Sequence, residues 1–213
     1  RQYLDKSVSK SDQEWIKDFP RAAQHRWQHT LNVLKNAEKI LDGEKFNQNI
    51  TDVVKVSAVM HDISMFVCDH SVHGQKSAEI ANQYLTDRGF PDDFTNRVTR
   101  AITEHGVDFD TLSPEEMGAC FSVEGRILIE ADILDKFGVS AVTNALLEFG
   151  KDGLLSFECR VALNEGVHMQ RAKYFHNYIW TGTGKKMRDD RFGFFLKYLD
   201  QLSEEVVEKK SPS

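Results

Sequence analysis

The chain has few of the residues that staple or break structure. Its three cysteines, Cys68, Cys120 and Cys159, lie far apart and form no C-x-x-C pair. That spacing argues against a disulfide framework or a thiolate zinc site and for reduced thiols in a cytoplasmic protein. Only four prolines interrupt the 213 residues, so long helices are permitted. No apolar run approaches the roughly eighteen residues that a membrane span requires. The opening Arg1-Gln2-Tyr3 has neither the apolar stretch of a signal peptide nor an initiating Met, as a start inside a longer chain would look. Basic residues are not in excess: 27 Lys and Arg stand against 33 Asp and Glu, a net charge of −6. Nucleic acid is therefore not an expected partner, because neutralising its backbone takes concentrated cations. A small phosphorylated ligand needs only a few and stays open. Strand patterning is missing too, since no alternating run is bounded by a two-residue turn.

What is present reads as helix. The expected helices run from Ser11 or Asp12 through Phe19, from about Arg21 to Leu41 with Trp27, Leu31, Leu34 and Leu41 as one stripe, and from Asn49 or Thr51 through Ile63. Others follow from Ser71 to Arg88, stopped by Gly89, and from Asp92 to His105 behind Pro91. Ser113-Pro114-Glu115-Glu116 looks like a cap with proline in the first turn, before a helix carrying Glu124 to Leu134. Later helices are expected at Val139–Phe149, Phe157–Trp180 and Arg188–Glu208, with Thr181-Gly182-Thr183-Gly184 as a hinge. The reading is an all-α, single-domain helical bundle: an N-terminal helical extension over residues 1–20, a main helical body over 21–180, and a C-terminal helix over 181–213 packed on the same domain, with a frayed tail.

Chemistry is concentrated where polar groups interrupt apolar runs. His61-Asp62 interrupts Val56-Ser57-Ala58-Val59-Met60 and Ile63, a segment expected to be buried helix. A buried carboxylate needs a partner, and a cation satisfies both side chains at once, although a structural His-Asp hydrogen bond is the simpler alternative. Asp132 interrupts a second apolar run, Ile127 to Leu134. His29 lies near Val33, Ala37 and Ile40, and His105 ends a helix whose buried positions include Val98 and Ile102. Imidazole and carboxylate together suit Zn, Fe, Mn, Ni or Co and disfavour Ca.

The order His29, His61-Asp62, Asp132 resembles the H…HD…D pattern of the HD-domain superfamily of metal-dependent phosphohydrolases. His25-x-x-x-His29-Thr30-Leu31-Asn32-Val33 resembles the superfamily's first-helix motif. Glu124-Gly125-Arg126-Ile127 with Glu130-Ala131-Asp132-Ile133-Leu134-Asp135-Lys136-Phe137-Gly138 is similar to the EG…ADxLDxxG block of one subgroup. The resemblance implies an HD-type bundle holding one or two divalent ions (Mn, Fe, Zn, Ni, Co or Mg) on His29, His61, Asp62 and Asp132. His73 and His105 fall where some such families place two further histidines, so they are candidates for a second ion or for contact with a substrate phosphate. His70, three residues before His73, reads as a loop residue, and His25 as a pocket wall or surface residue.

The implied activity is hydrolysis of a small phosphorylated metabolite, with nucleotides leading, by a metal-activated water. Asp62 would hold the metal and accept a hydrogen bond from the nucleophile. Lys136, four residues after Asp132 and on its face if the helix continues, would meet charge building on the phosphoryl oxygens. Two competitors remain: a di-iron oxygenase of the same fold, and a non-catalytic metal-binding sensor. Retention of all four core ligands weighs against the sensor. Homo-oligomerisation is left open.

Overall fold

The computed structural model describes residues 1–11, 21–108, 111–165 and 167–206. Among the described residues there is helix and turn but no strand. The expected helix through Phe19 lies outside them. Residues Arg1–Asp132 and Ile133–Ser213 form two compact units.

In the first unit, α1 (Gln2–Lys10), which falls within the expected N-terminal helical extension, packs on α2 (Ala22–Glu44). Leu4, Ala22, Ala23 and Phe66 make that contact. The buried stripe of α2 runs through Thr30, Val33, Asn36, Ala37, Ile40 and Leu41. It is offset from the expected one: Leu31 is exposed, and only Leu41 of the four is buried. The correct stripe is the face next to His29, where β-branched and small residues let neighbouring helices approach.

The next helix, α3 (Gln48–Met60), starts one residue before Asn49 and three before Thr51, the two expected starts, because the Asn47 side chain accepts the Ile50 N–H at 3.1 Å. Such a cap contributes about 1 kcal/mol. Val53, Val54, Ser57, Ala58 and Met60 are buried along it. The helix stops at Met60, so His61 and Asp62 stand just beyond it rather than inside it. From there the chain advances in i→i+3 turns, with Met65 N–H bonded to Asp62 O at 3.2 Å and Val67 N–H to Ser64 O at 2.8 Å. No glycine or proline marks that boundary, and apolar periodicity runs straight through it.

A short turn at His70–Val72 leads into α4 (His73–Asp87), and Gly89 at φ +73 turns the chain towards α5 (Asp92–His105). Helix α5 packs on both α3 and α4. The Ser113 cap is present as a reciprocal pair with Glu116, opening α6 (Pro114–Cys120). Helix α7 (Val123–Asp135) carries Asp132.

The second unit begins within α7 and holds α8 (Val139–Lys151), α9 (Ser156–Glu165), α10 (Val167–Phe175) and α11 (Gly182–Glu205). The expected helix over Phe157–Trp180 falls on α9 and α10, either side of position 166, and α10 ends at Phe175, short of Trp180. Thr181–Gly184 is not a hinge: Thr181 caps α11 by accepting the Gly184 N–H at 3.0 Å. Val142, Ala145, Leu163, Met169, Phe195 and Leu199 form this unit's core, so the aromatic-rich C-terminal stretch contributes packing. No helix among the described residues is long and apolar enough to cross a membrane.

Candidate metal centre

All six histidine and aspartate candidates meet in the first unit. His29 projects from α2, His61 and Asp62 from the end of α3, His73 from the first turn of α4, His105 from the last residue of α5, and Asp132 from α7. His61, Asp62, His73, His105 and Asp132 are buried and His29 nearly so. Three triads, His29–His61–Asp62, His61–His105–Asp132 and Asp62–His73–His105, each present ligand atoms within 4.8 Å of one another.

Individual separations are tighter. His29 Nε2 lies 3.3 Å from His61 Nε2, 3.5 Å from Asp62 Oδ2 and 3.1 Å from Asp132 Oδ1. His61 Nε2 lies 3.3 Å from Asp62 Oδ2. The other oxygens face the other histidines: His73 Nε2 is 3.5 Å from Asp62 Oδ1, and His105 Nε2 is 3.6 Å from Asp132 Oδ2. Metal–ligand bonds of about 2.1 Å place the ligand atoms of a tetrahedral ion about 3.4 Å apart, so these spacings fit a coordination polyhedron.

The tautomers fit as well. His61 Nδ1 lies 2.8 Å from Ala58 O, which can only accept, so Nδ1 carries a proton and Nε2 is the nitrogen turned towards the other ligand groups. His73 is arranged the same way, with Nδ1 donating to His70 O. Burial lowers the pKa of His105, against the raising effect of its bond to Asp132, which favours the neutral, ligating imidazole. Burial pushes the Asp62 carboxyl up, but the charges of His61 and Arg26 and bonds from His29 and His61 overcome it and hold it well below the usual carboxylate range.

Four positioning features were not read from the sequence. Arg26, one turn before His29, donates from Nη1 to Asp62 Oδ2, the oxygen flanked by His29 and His61. The buried Asn36 donates to Ala131 O at 2.9 Å, tying α2 to the chain beside Asp132. Gly74 and Gly106, each directly after a candidate histidine, touch backbone to backbone: a methyl on Gly74 would sit 2.4 Å from Gly106 Cα. That contact brings the His73 and His105 rings to 5.5 Å between centroids. Fourth, Gly125 leaves room for Glu104, since a methyl there would sit 2.0 Å from Glu104 Oε2. Glu104 accepts from Ser122 N at 3.0 Å and from Arg100 Nε at 2.8 Å, while neighbouring Glu124 accepts from Arg97 Nε at 2.9 Å. Glu124 and Gly125 therefore anchor the start of the Asp132 helix to α5.

The remaining candidates are placed differently. His70 is exposed and serves His73 through its carbonyl, and His25 is exposed. Helix α7 ends at Asp135, and Lys136 N–H bonds Ile133 O at 2.9 Å in a tighter turn, so the helical continuation expected through Lys136 is not there. Lys136 belongs to the second unit, where its ammonium stands 5.4 Å from the Phe175 ring centroid.

An all-α bundle with histidines and aspartates converging from five helices defines a class, and comparison with known proteins gives it a family. The HD-domain family model matches residues 26–136, just over half of the chain, and the chain belongs to that family. HD domains bind divalent metals, and the groups described above could hold such ions. The uncharacterised protein YpgQ of Bacillus subtilis strain 168 is 25% identical over 189 residues, spanning 85% of this chain and 84% of YpgQ. A structure described as a predicted HD superfamily hydrolase, from an uncultured Thermotogales bacterium, superposes with TM-score 0.58 at 24% identity, covering 96% of this chain and 91% of that one. YpgQ solved in complex with ADP superposes with TM-score 0.63 at 18% identity, covering 99% and 98%. An HD-superfamily hydrolase of Bacillus thuringiensis gives 0.64 at 18%, covering 96% of each chain. These structures share the fold.

Proposed function

We propose that this chain is a metal-dependent phosphohydrolase, a phosphomonoesterase, phosphodiesterase or pyrophosphohydrolase acting on a small phosphorylated metabolite in the cytoplasm. One observation carries the reading: the two oxygens of Asp62 face different imidazoles, Oδ2 towards His29 and His61 and Oδ1 towards His73. That disposition suits Asp62 shared between two ions, one on His29, His61 and Asp132, the other on His73 and His105. Divalent ions in such a site supply an acidified water and a Lewis acid for phosphoryl oxygens. The protein's own part is to hold neutral Nε2 atoms and ionised carboxylates in place before substrate arrives. Lys136 is proposed to meet charge on the phosphoryl group. Nucleotides are the first substrate class to screen, as the family resemblance suggests and as the ADP complex of the B. subtilis relative supports.

The test is elemental analysis of purified protein followed by a panel of phosphate esters with Mn, Fe, Zn, Ni, Co and Mg. Phosphate release that depends on added metal, and that Asp62→Asn abolishes while keeping a helical circular dichroism spectrum, is the expected result. Full metal-dependent activity in Asp62→Asn would overturn the assignment. The same six donors also suit a di-iron centre. Bound iron with a mixed-valence EPR signal on exposure to dioxygen, and no phosphate release, would favour an oxygenase instead.

A further inference from the structure

One buried ionic group of the first unit has no part in the chemistry proposed above. Glu104 is 8% exposed and stands directly before His105 in the last turn of α5. Both its oxygens accept from the Ser122 N–H at 3.0 Å, one accepts from the Ser122 hydroxyl, and the other accepts from Arg100 Nε at 2.8 Å. Ser122 immediately precedes α7 and caps it, its hydroxyl accepting the Gly125 N–H at 3.0 Å. A methyl on Gly125 would meet Glu104 at Oε2, Cδ and Cβ, so glycine is what lets the carboxylate reach the cap. Arg100 also donates to Cys120 O at 3.3 Å, at the end of α6. A second ionic bond joins the same two helices, from Arg97 Nε on α5 to the buried Glu124 on α7 at 2.9 Å.

Stability alone does not account for a carboxylate at this depth. Burying a charge is costly even when it is paired, and apolar side chains of similar volume often stabilise as well. What the carboxylate adds is direction, because hydrogen bonds weaken steeply with angle whereas apolar contacts are non-directional. Consecutive residues of a helix point about 100° apart, so the last turn of α5 meets α7 at two places. Glu104 holds its cap, and about 15 Å farther along the helix His105 Nε2 faces Asp132 Oδ2 at 3.6 Å. We infer that Glu104 is a positioning residue of the candidate metal centre: by fixing the register of α7 against the end of α5, its carboxylate sets the spacing between His105 and Asp132. The inference rests on the metal centre and is independent of the reaction carried out there. A slide or roll of α7 by a few tenths of an ångström is large against ligand bonds of about 2.1 Å.

The experiment uses the full chain loaded with Co²⁺, whose visible spectrum reports coordination geometry, and measures affinity by competition with a chelator. Glu104→Gln keeps the volume and removes the charge. It should weaken Co²⁺ binding about tenfold, as loss of a group outside the ligand set does, and alter the Co²⁺ spectrum. Leu163→Ala, in the core of the second unit, controls for destabilisation alone: it should lower the melting temperature and leave Co²⁺ affinity and spectrum unchanged. In a His105→Ala background the effect of Glu104→Gln should shrink below about twofold, because the spacing it sets no longer counts. If Glu104→Gln does not fold, Ser122→Ala takes its place, removing one donor to the carboxylate and giving a smaller loss in the same direction. Wild-type affinity and spectrum in the variant that folds overturn the inference and leave the metal centre standing. Additive effects with His105→Ala overturn it as well. A Leu163→Ala protein shifted as far as Glu104→Gln would reduce Glu104 to a contributor to stability. A wild type that binds no divalent ion overturns the inference together with the metal centre.

Discussion

Arg26 and Asp62 form an ion pair on the same carboxylate oxygen, Oδ2, that His29 and His61 flank at 3.5 and 3.3 Å. Asp62 is 6% exposed, and an unpaired charge at that depth is strongly unfavourable. In metal-free protein the guanidinium is thus the counter-charge of a carboxylate that an ion would otherwise neutralise. Arg26→Met should lower the stability of the chelator-treated protein by about 3 kcal/mol, seen as a fall in melting temperature. Metal binding to the variant should be tighter than to the wild type, because no resident cation has to leave Oδ2. Unchanged stability and weaker metal binding would assign Arg26 a purely supporting role.

Lys136 lies past the end of α7, against the Phe175 ring in the second unit. If it meets the substrate phosphoryl group, Lys136→Ala should raise KM or lower kcat while metal content measured by elemental analysis stays at the wild-type value. A parallel loss of metal would place its effect at the centre itself.

The backbone contact between Gly74 and Gly106 leaves no room for a methyl from either side. Gly74→Ala must push α4 from the end of α5, at a cost of about 2–3 kcal/mol. The same displacement separates His73 from His105, so the number of ions bound at saturation should fall below the wild-type value. Denaturant unfolding and metal titration read the two effects separately. A variant of wild-type stability would show that the helices yield more easily than the contact implies.

In the second unit, burial lowers the pKa of His176, with Arg188 adding to the shift and Asp189 opposing it. The Arg188 guanidinium donates to the His176 carbonyl at 2.8 Å. With the folded pKa below the unfolded value of about 6.5, the unfolded chain takes up the proton first as pH falls. The contribution of His176 to stability is therefore complete above about pH 6.5, declines as pH drops to the folded pKa, and is constant below it. An NMR titration should find the ring titrating below 6.5 and moving up in Arg188→Met. A ring titrating above 6.5 would contradict the packing described.

How much of this could be read from the chain follows from what each feature depends on. His61, Asp62 and Asp132 stood out because each interrupts an apolar segment, and burial of polar groups is visible in one dimension; His29 stood out by its place ahead of them in the H…HD…D order. The Ser113–Glu116 cap was visible for the same reason, being a bond between residues three apart. The Arg26–Asp62 pair spans 36 residues and Asn36–Ala131 spans 95, so no local pattern announces them. A signal for Arg26 did exist: it sits one turn from His29, with alanine and threonine four residues to either side and no acidic partner. For the glycine contact the hint was the repeated His-Gly doublet. The end of α3 was missed because Ile63, Met65 and Phe66 continue an apolar pattern through turns that are not α-helical.

That end of α3 divides the centre into a stiff wall and a compliant one. Helices α4 and α5 meet through bare backbone at Gly74 and Gly106, leaving no layer of side chains to rearrange, so His73 and His105 travel together or not at all. Asp62 instead rides on a run of i→i+3 turns, whose geometry adjusts at less cost than a helix. An incoming ion of larger or smaller radius would be accommodated by movement of His61 and Asp62 relative to His73 and His105. Amide hydrogen exchange over residues 61–67 should therefore slow on metal binding while the α4–α5 amides stay as protected as before.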